Sequence, residues 1–361
     1  MKPISFFTIF LFLLCIDANA QIITGKVYDS ATRLPIANVN VYLNNTSYYA
    51  KTNHSGAFSL KVAQKMNTQL IISHVSYETV VINEPFEKES REIYLIEKNY
   101  VLNEVVIKRG RFSREEQLKA FEPQFLGDNA AGRSCKILNK DDIDLVYDED
   151  DKTLYATNEQ PIIIENKYLG YQIHCSSIDF KACYSDKSLS KRSLKTVLLR
   201  GDAFFIDLAP DNPVIKKRRD EAYEGSLNYF FKSLATQTLA SSNHVIFNYG
   251  DRFPANPYIY FDITDSGSDK IIRINPDTDI NKNPPRSLIL RPIYRVLGSI
   301  TVKDPTGYYS THIIFLTDEL TVDSFGIIAE KDYIVITGQM GNLRMGSMVP
   351  LDYEIIPRKN R

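Results

Sequence analysis

The chain has 361 residues, 43% of them hydrophobic, with 43 basic residues against 44 acidic ones. That length suggests two domains, since a single core seldom grows beyond about 250–300 residues. The near balance of charge argues against nucleic acid or any strongly anionic surface as a partner.

The first stretch, MKPISFFTIFLFLLCIDANA, has a lysine at position 2, an apolar run from Ile4 to Ile16, and the small-residue ending Ala18-Asn19-Ala20. That is the order of a secretory signal peptide at 1–20 with cleavage after Ala20, and it predicts an exported protein. The apolar run falls short of the roughly 20 residues a membrane helix needs, so no transmembrane helix is expected after cleavage. Leu14 before Cys15 is bulky where a lipoprotein cleavage site wants a small residue. In an oxidising compartment Cys175 and Cys183 are close enough in sequence to bridge neighbouring strands, although Cys135 makes the count odd and two buried thiols are the other reading.

Residues 21–97 alternate apolar and polar positions around Val27, through Val39, Val41 and Leu43, and through Phe58, Leu60 and Val62; LIISHVSY, ETVVI and REIYLIE follow. Period-two alternation marks half-buried strands, and the Asn, Gly and Pro between them mark turns. Six or seven short strands in this space predict a small antiparallel sandwich. The phrases ITGKVYD, LPIANVNVYL, KTNHSGAFSL and ISHVSYET together resemble the carboxypeptidase regulatory-like domain, a transthyretin-like, Ig-like sandwich. The resemblance implies a seven-stranded antiparallel β-sandwich in which Asn53-His54-Ser55-Gly56 is a hairpin turn, Gly56 takes a positive φ, and Phe58 points inward. It also implies an accessory fold that holds no zinc, which makes His54 a turn residue.

The chain has five histidines, His54, His74, His174, His244 and His312, and none stands in an H-E-x-x-H or H-x-x-E frame. Two ligands one helical turn or one strand step apart are what set a tetrahedral zinc site, so neither metal nor cofactor is expected. No G-x-S-x-G, phosphate-binding loop or dinucleotide fingerprint occurs, and a non-enzyme is the expectation.

Residues 98–134 form a linker strand and a short helix. NYVLNEVVIKRG resembles the phrase that follows the same sandwich in TonB-dependent outer-membrane receptors. The remaining length is too short for a receptor of about 22 strands, so at most an accessory part of such a system is implied. SREEQLKAFEPQFLG, with Ser113 as cap and Leu118, Phe121 and Phe125 at helical spacing, predicts an amphipathic helix.

Residues 135–361 read as a mostly β domain with a helix near 214–240. FLGDNAAGRSCKILN, PIIIENKYLGYQI and RRDEAYEGSLNYFFKSL resemble a region behind the same sandwich in envelope proteins of Gram-negative bacteria. That resemblance implies a periplasmic or outer-membrane-associated protein with an envelope protein as partner, and carries no mechanism. On the helix, Arg219, Tyr223, Ser226 and Phe230 fall on one face. One reading makes Tyr223 and Phe230 core and lets Arg219 cap a carbonyl or pair with an acid. The other makes Arg219, Tyr223 and Ser226 a ligand-binding pocket for an anion. NPDTDINKNPP spaces Asp277, Asp279, Asn281 and Asn283 like calcium ligands but lacks the glycine and the closing glutamate of such a loop, and YDEDDKT reads as a hairpin tip. SLILRPIYRVLGSITV, THIIFLT, DYIVITGQM and MVPLDYEII predict further strands.

The chain therefore reads as mainly β, a sandwich followed by a strand-rich domain with one or two helices. Its expected function is that of an exported, non-catalytic binding or assembly module of the cell envelope. An envelope hydrolase of peptide or glycan, with a site built from dispersed residues, is the alternative.

Overall fold

The computed structural model describes residues 21–88, 90–98, 110–242, 244–248, 258, 261–274, 287–296, 299–302 and 311–355. The expected signal peptide, most of the NYVLNEVVIKRG phrase and the Asp277–Asn283 loop lie outside these residues.

Seven strands build the first unit: β1 (Gln21–Asp29), β2 (Asn40–Leu43), β3 (Tyr49–Lys51), β4 (Ala57–Val62), β5 (Leu70–His74), β6 (Tyr77–Ile82) and β7 (Ser90–Leu95). They form two sheets, β4-β1-β7 and β3-β2-β5-β6. The alternation seen in the sequence faces the two sheets toward each other, and Val27, Val39, Val41, Leu43, Phe58, Leu60 and Val62 all lie in the shared core. One pairing departs from an all-antiparallel sandwich: β1 and β7 run parallel, with Thr24 opposite Ser90 and Asp29 opposite Leu95.

The next unit is an open sheet packed on a helix. It contains β8 (Cys135–Ile137), β9 (Ile143–Asp148), β10 (Thr153–Asn158), β11 (Ile162–Asn166), β12 (Tyr171–Tyr184) and β13 (Leu194–Asp207). The long β12 carries β11 and β10 in tandem along one edge and β13 along the other. Helix α1 (Arg114–Leu126) covers the apolar face with Phe121 and Phe125. It begins in a capping box, because Ser113 and Glu116 each satisfy the other's backbone N–H. A short α2 (Ala130–Arg133) follows it.

The segment expected as one helix is two. Helix α3 (Pro213–Glu224) ends at Gly225, and α4 (Leu227–Ala235) starts afresh from Ser226, whose hydroxyl accepts a hydrogen bond from Tyr229 N at 3.2 Å. A serine able to cap a new helix competes with continuing the old one, and the glycine before it resists little. Helix α4 buries Phe230, Phe231 and Leu234 against β14 (His244–Asn248), β15 (Phe261–Ser266), β16 (Asp269–Ile274), β19 (Thr311–Phe315) and β20 (Glu319–Val322). With β17 (Ser287–Val296), β18 (Ser299–Val302) and β21 (Ile334–Gly338), these strands form the sheets β14-β17-β19-β21, with β18 on β17, and β15-β16-β20.

Two further expectations are corrected. MVPLDYEII adds no strand: over the described residues 348–355 it is an irregular tail that lies across the other units. Cys175 and Cys183 cannot bridge, since both lie on β12, eight positions apart, which puts them about 26 Å from each other. Both are free thiols, as is Cys135, and burial pushes the Cys135 and Cys175 thiols up to about 12.

The first unit is joined to the last by the turn that follows β20. Phe325 and Ile327 enter the core of the sandwich. Asp323 holds the turn, its Oδ1 accepting from Phe325 N and Ile327 N at 2.9 Å each, while its Oδ2 accepts from Asn67 N of the sandwich at 2.7 Å. Gly326 sits at φ 82°, and a β-carbon there would run into Asn228 O and Lys232 N of α4. Neither the backbone conformation nor the space admits a side chain. Gly326→Ala should therefore lower stability by about 2–4 kcal/mol. Gly267→Ala, at φ 62° with nothing within 4 Å of the new atom, should cost only about 1 kcal/mol. Urea melts followed by far-UV circular dichroism measure both, since the chain has no tryptophan.

Candidate functional site

Helix α3 is set by Asn212, whose side chain accepts from Val214 N and Ile215 N, and by Pro213 in its first turn. This aims Arg219 at the start of β12. The guanidinium is only 4% exposed. It donates to both carboxylate oxygens of Asp207, at 2.7 and 2.6 Å, and to the carbonyls of Leu169 at 2.7 Å and Gly170 at 3.0 Å. Its plane lies 3.9 Å from the centre of the Tyr171 ring. Burial works against both charges, yet the paired hydrogen bonds leave Asp207 below the usual carboxylate range and raise Arg219 further. Among the residues predicted as a site, Arg219 thus pairs with an acid and caps two carbonyls, and its bidentate face is turned to Asp207.

Tyr223 lies one turn further along α3, and its ring packs 5.3 Å from Tyr229 and 5.7 Å from Tyr353. It is buried, its hydroxyl has no hydrogen-bond partner among the described residues, and burial raises its pKa. Ser226 is spent on the α4 cap. The break at Gly225 takes only Ser226 away from Arg219 and Tyr223, which stay one turn apart on α3, Arg219 bonded to Asp207 and the carbonyls before β12 and Tyr223 packed on Tyr353 of the tail. The tail was missed in the sequence: Tyr353 donates to Asp220 at 2.6 Å, Lys216 bonds the same carboxylate at 2.8 Å, and Lys232 pairs with Glu354. No local signal marks the Tyr353–Asp220 and Lys232–Glu354 pairs, because their partners lie more than a hundred residues apart.

The turn between β3 and β4 is built from Asn53, whose Oδ1 accepts from Ser55 N and Ala57 N at 3.0 Å each. Gly56 takes φ 72°, and a β-carbon on it would meet Val27 O. Phe58 is buried two residues on, while His54 is exposed at the tip. Asn53 and Asp323 make the same turn: in each the Gly N–H three residues on donates to the Asx carbonyl, and the side chain accepts from positions two and four on. The Asx-x-x-Gly spacing in DSFG was therefore a legible signal for the joint.

Residues 23–107 match the family model of the CarboxypepD_reg-like domain. The N-terminal unit is a carboxypeptidase regulatory-like domain. Such domains are non-catalytic, Ig-like folds, typical of extracellular proteins. No curated protein matches the chain. No helix among the described residues is long and apolar enough to cross a membrane, which says nothing about strands. Also among the described residues, no three His, Cys, Asp or Glu side chains are grouped so as to hold a metal ion. At the YDEDDKT hairpin, Asp148 Oδ1 accepts from Asp150 N at 2.8 Å within the turn.

The regulatory-like domain is held to the rest at a second place. Its loop 44–47 lies between β13 and the tail: Asn45 N donates to Ala203 O at 2.7 Å, Phe205 N to Thr46 O at 2.9 Å, and Leu351 N to Asn45 O at 2.8 Å. Asn44 Nδ2 donates to Asp202 at 3.2 Å, and Asp352 accepts from Ser47 N at 2.7 Å and from its hydroxyl. Tyr42 of the regulatory-like domain packs its ring on Phe204 at 4.8 Å. Burial raises both joint carboxylates, Asp323 and Asp352, above the usual range despite these hydrogen bonds. His244 is the matching case among bases: burial between Tyr229 and Phe230 lowers it to about 4, and its Nδ1 has no partner among the described residues.

Two outcomes follow from this geometry. Arg219→Ala leaves Leu169 and Gly170 carbonyls uncapped and should cost about 3 kcal/mol or more. Arg219→Lys should recover less than half of that, because one ammonium cannot serve two carboxylate oxygens and two carbonyls. Denaturant melts of both variants decide it. His244 is neutral when folded and charges more readily when unfolded. Its share of stability is therefore whole above the ordinary 6.5 and is lost as pH falls toward about 4, a loss of roughly 3 kcal/mol. The stability difference between the wild type and His244→Phe should shift by that amount between pH 7 and pH 4, and a flat difference would remove histidine burial as the cause.

Proposed function

We propose that the chain is an exported, non-catalytic binding and assembly protein of the cell envelope, in which the regulatory-like domain and the strand-rich region act as one rigid platform. The observation that carries this reading is the pair of joints: Asp323 holding Asn67, with Phe325 and Ile327 in the sandwich core, and loop 44–47 held between Ala203 and Leu351. Joints of this kind fix the relative position of two surfaces, which is what a scaffold requires and what a hinged enzyme avoids. The fate of Arg219 supports it as well. Arg219, the cation read as forming an anion pocket with Tyr223 and Ser226, is committed to Asp207 and two carbonyls.

The resemblance of the second region to envelope proteins supports an envelope compartment and an envelope protein as partner. Fractionation of the producing cell, then crosslinking and mass spectrometry of the protein in its compartment, tests both. Recovery in the envelope fraction with a reproducible protein partner is the expected result. Recovery in the cytoplasm, or turnover of peptide or glycan by the purified protein, would overturn it.

A further inference from the structure

The second face of the Asp323 joint is a cleft of about 550 Å³ between the regulatory-like domain and the C-terminal strands. One wall is made by the stretches 65–69 and 83–87 of the domain, the other by the β15–β16 turn and residues 329–332. Clefts of roughly 300–1,000 Å³ are the size that holds small ligands.

The walls are fixed before any ligand arrives. Asn67 Nδ2 donates to Ile327 O at 3.3 Å and Lys331 Nζ to Asn67 O at 3.4 Å, which ties wall to wall beside the buried Asp323. Gln69 Nε2 donates to Asn83 Oδ1 at 2.8 Å across the floor. Arg91 donates to Glu84 O at 3.0 Å and Lys88 O at 2.6 Å, and so holds the 84–88 loop. A preorganised polar cleft does not spend binding energy on ordering itself.

Its lining discriminates among ligands. Four carboxylates, Glu84, Glu87, Asp269 and Asp332, face two ammonium groups, Lys65 and Lys331, which disfavours phosphate, sulfate or any acidic ligand. The polar lining disfavours a purely apolar one. An added peptide strand needs a free sheet edge, but the walls are loops and turns, and β16 is already paired on both sides by β15 and β20. What remains matched is a molecule dense in hydroxyls with one apolar face. Carboxylates accept from hydroxyls, the amides of Gln69 and Asn83 both donate and accept, and half-buried Phe86, packed on the sandwich core, adds an apolar side to the lining.

We propose that this cleft binds a short uncharged saccharide, about two or three sugar units long as its volume allows. The proposal deepens the binding-module reading and rests on it, in that the saccharide leaves chemically unchanged.

The test is isothermal titration of the purified protein with neutral oligosaccharides, namely maltotriose, cellotriose, mannotriose and tri-N-acetylchitotriose. Each sugar is recovered afterwards for mass spectrometry. The expected result is saturable binding of at least one, weakened tenfold or more in Glu87→Gln and in Asp269→Asn. Both are conservative changes at side chains outside the cores, so folding is retained; Tyr155→Phe on the distant face of β10 should leave binding unchanged. No saturation by any member at millimolar concentration, or binding that neither cleft variant weakens, overturns the cleft assignment. Binding accompanied by cleavage of the sugar keeps the cleft and overturns the non-catalytic reading instead.

Discussion

A single carboxylate, that of Asp323, organises the meeting of three parts of this protein. It is 4% exposed, and its two oxygens take three backbone N–H groups, two from its own turn and one from the sandwich. An anion is costly to bury, and here the cost is offset by charge-assisted hydrogen bonds to donors that would otherwise be stranded. Because the turn is fixed, Phe325 and Ile327 reach the sandwich core, and because Gly326 has no side chain, α4 can lie directly against it. The cleft beside Asn67 and the alignment of the regulatory-like domain with the strand-rich region both depend on this arrangement.

The sandwich was legible because its signals are local. Alternation placed Val39, Val41 and Leu43, then Phe58, Leu60 and Val62, on the inner faces, and Asn53 to Gly56 announced a turn whose geometry needs only neighbouring residues. The parallel pairing of β1 with β7 was not legible, since alternation tells which face is buried and nothing about the direction of a partner more than sixty residues away. Helix α1 was readable from its cap for the same reason as the turn. The break between α3 and α4 was present in the sequence as Gly225-Ser226, but a helical face continuing through Phe230 outweighed it.

The candidate site was legible in its residue and not in its role. Arg219 was singled out, and both a ligand pocket and an acid partner were readings of it; only the fold supplies Asp207, which ends a strand twelve residues earlier, and the carbonyls of Leu169 and Gly170. Of the two readings of Cys175 and Cys183, a bridge and a pair of thiols, the thiols hold, because the 14-residue β12 carries both on a single strand. The tail from Met348 looked like a strand by composition, yet its backbone and side chains are used one by one: Leu351 on Asn45, Asp352 on Ser47, Tyr353 on Asp220.

The parallel pairing of β1 and β7 also gives the regulatory-like domain a mechanical character. With both strands running the same way, the chain enters the domain at the Gln21 end of the pair and leaves at the Leu95 end. Tension applied between these two ends would pull the strands lengthwise past one another, so that all their hydrogen bonds would bear load together, where an antiparallel pair would open one bond at a time. A domain wired in this way resists load applied between those two ends in line with its strands.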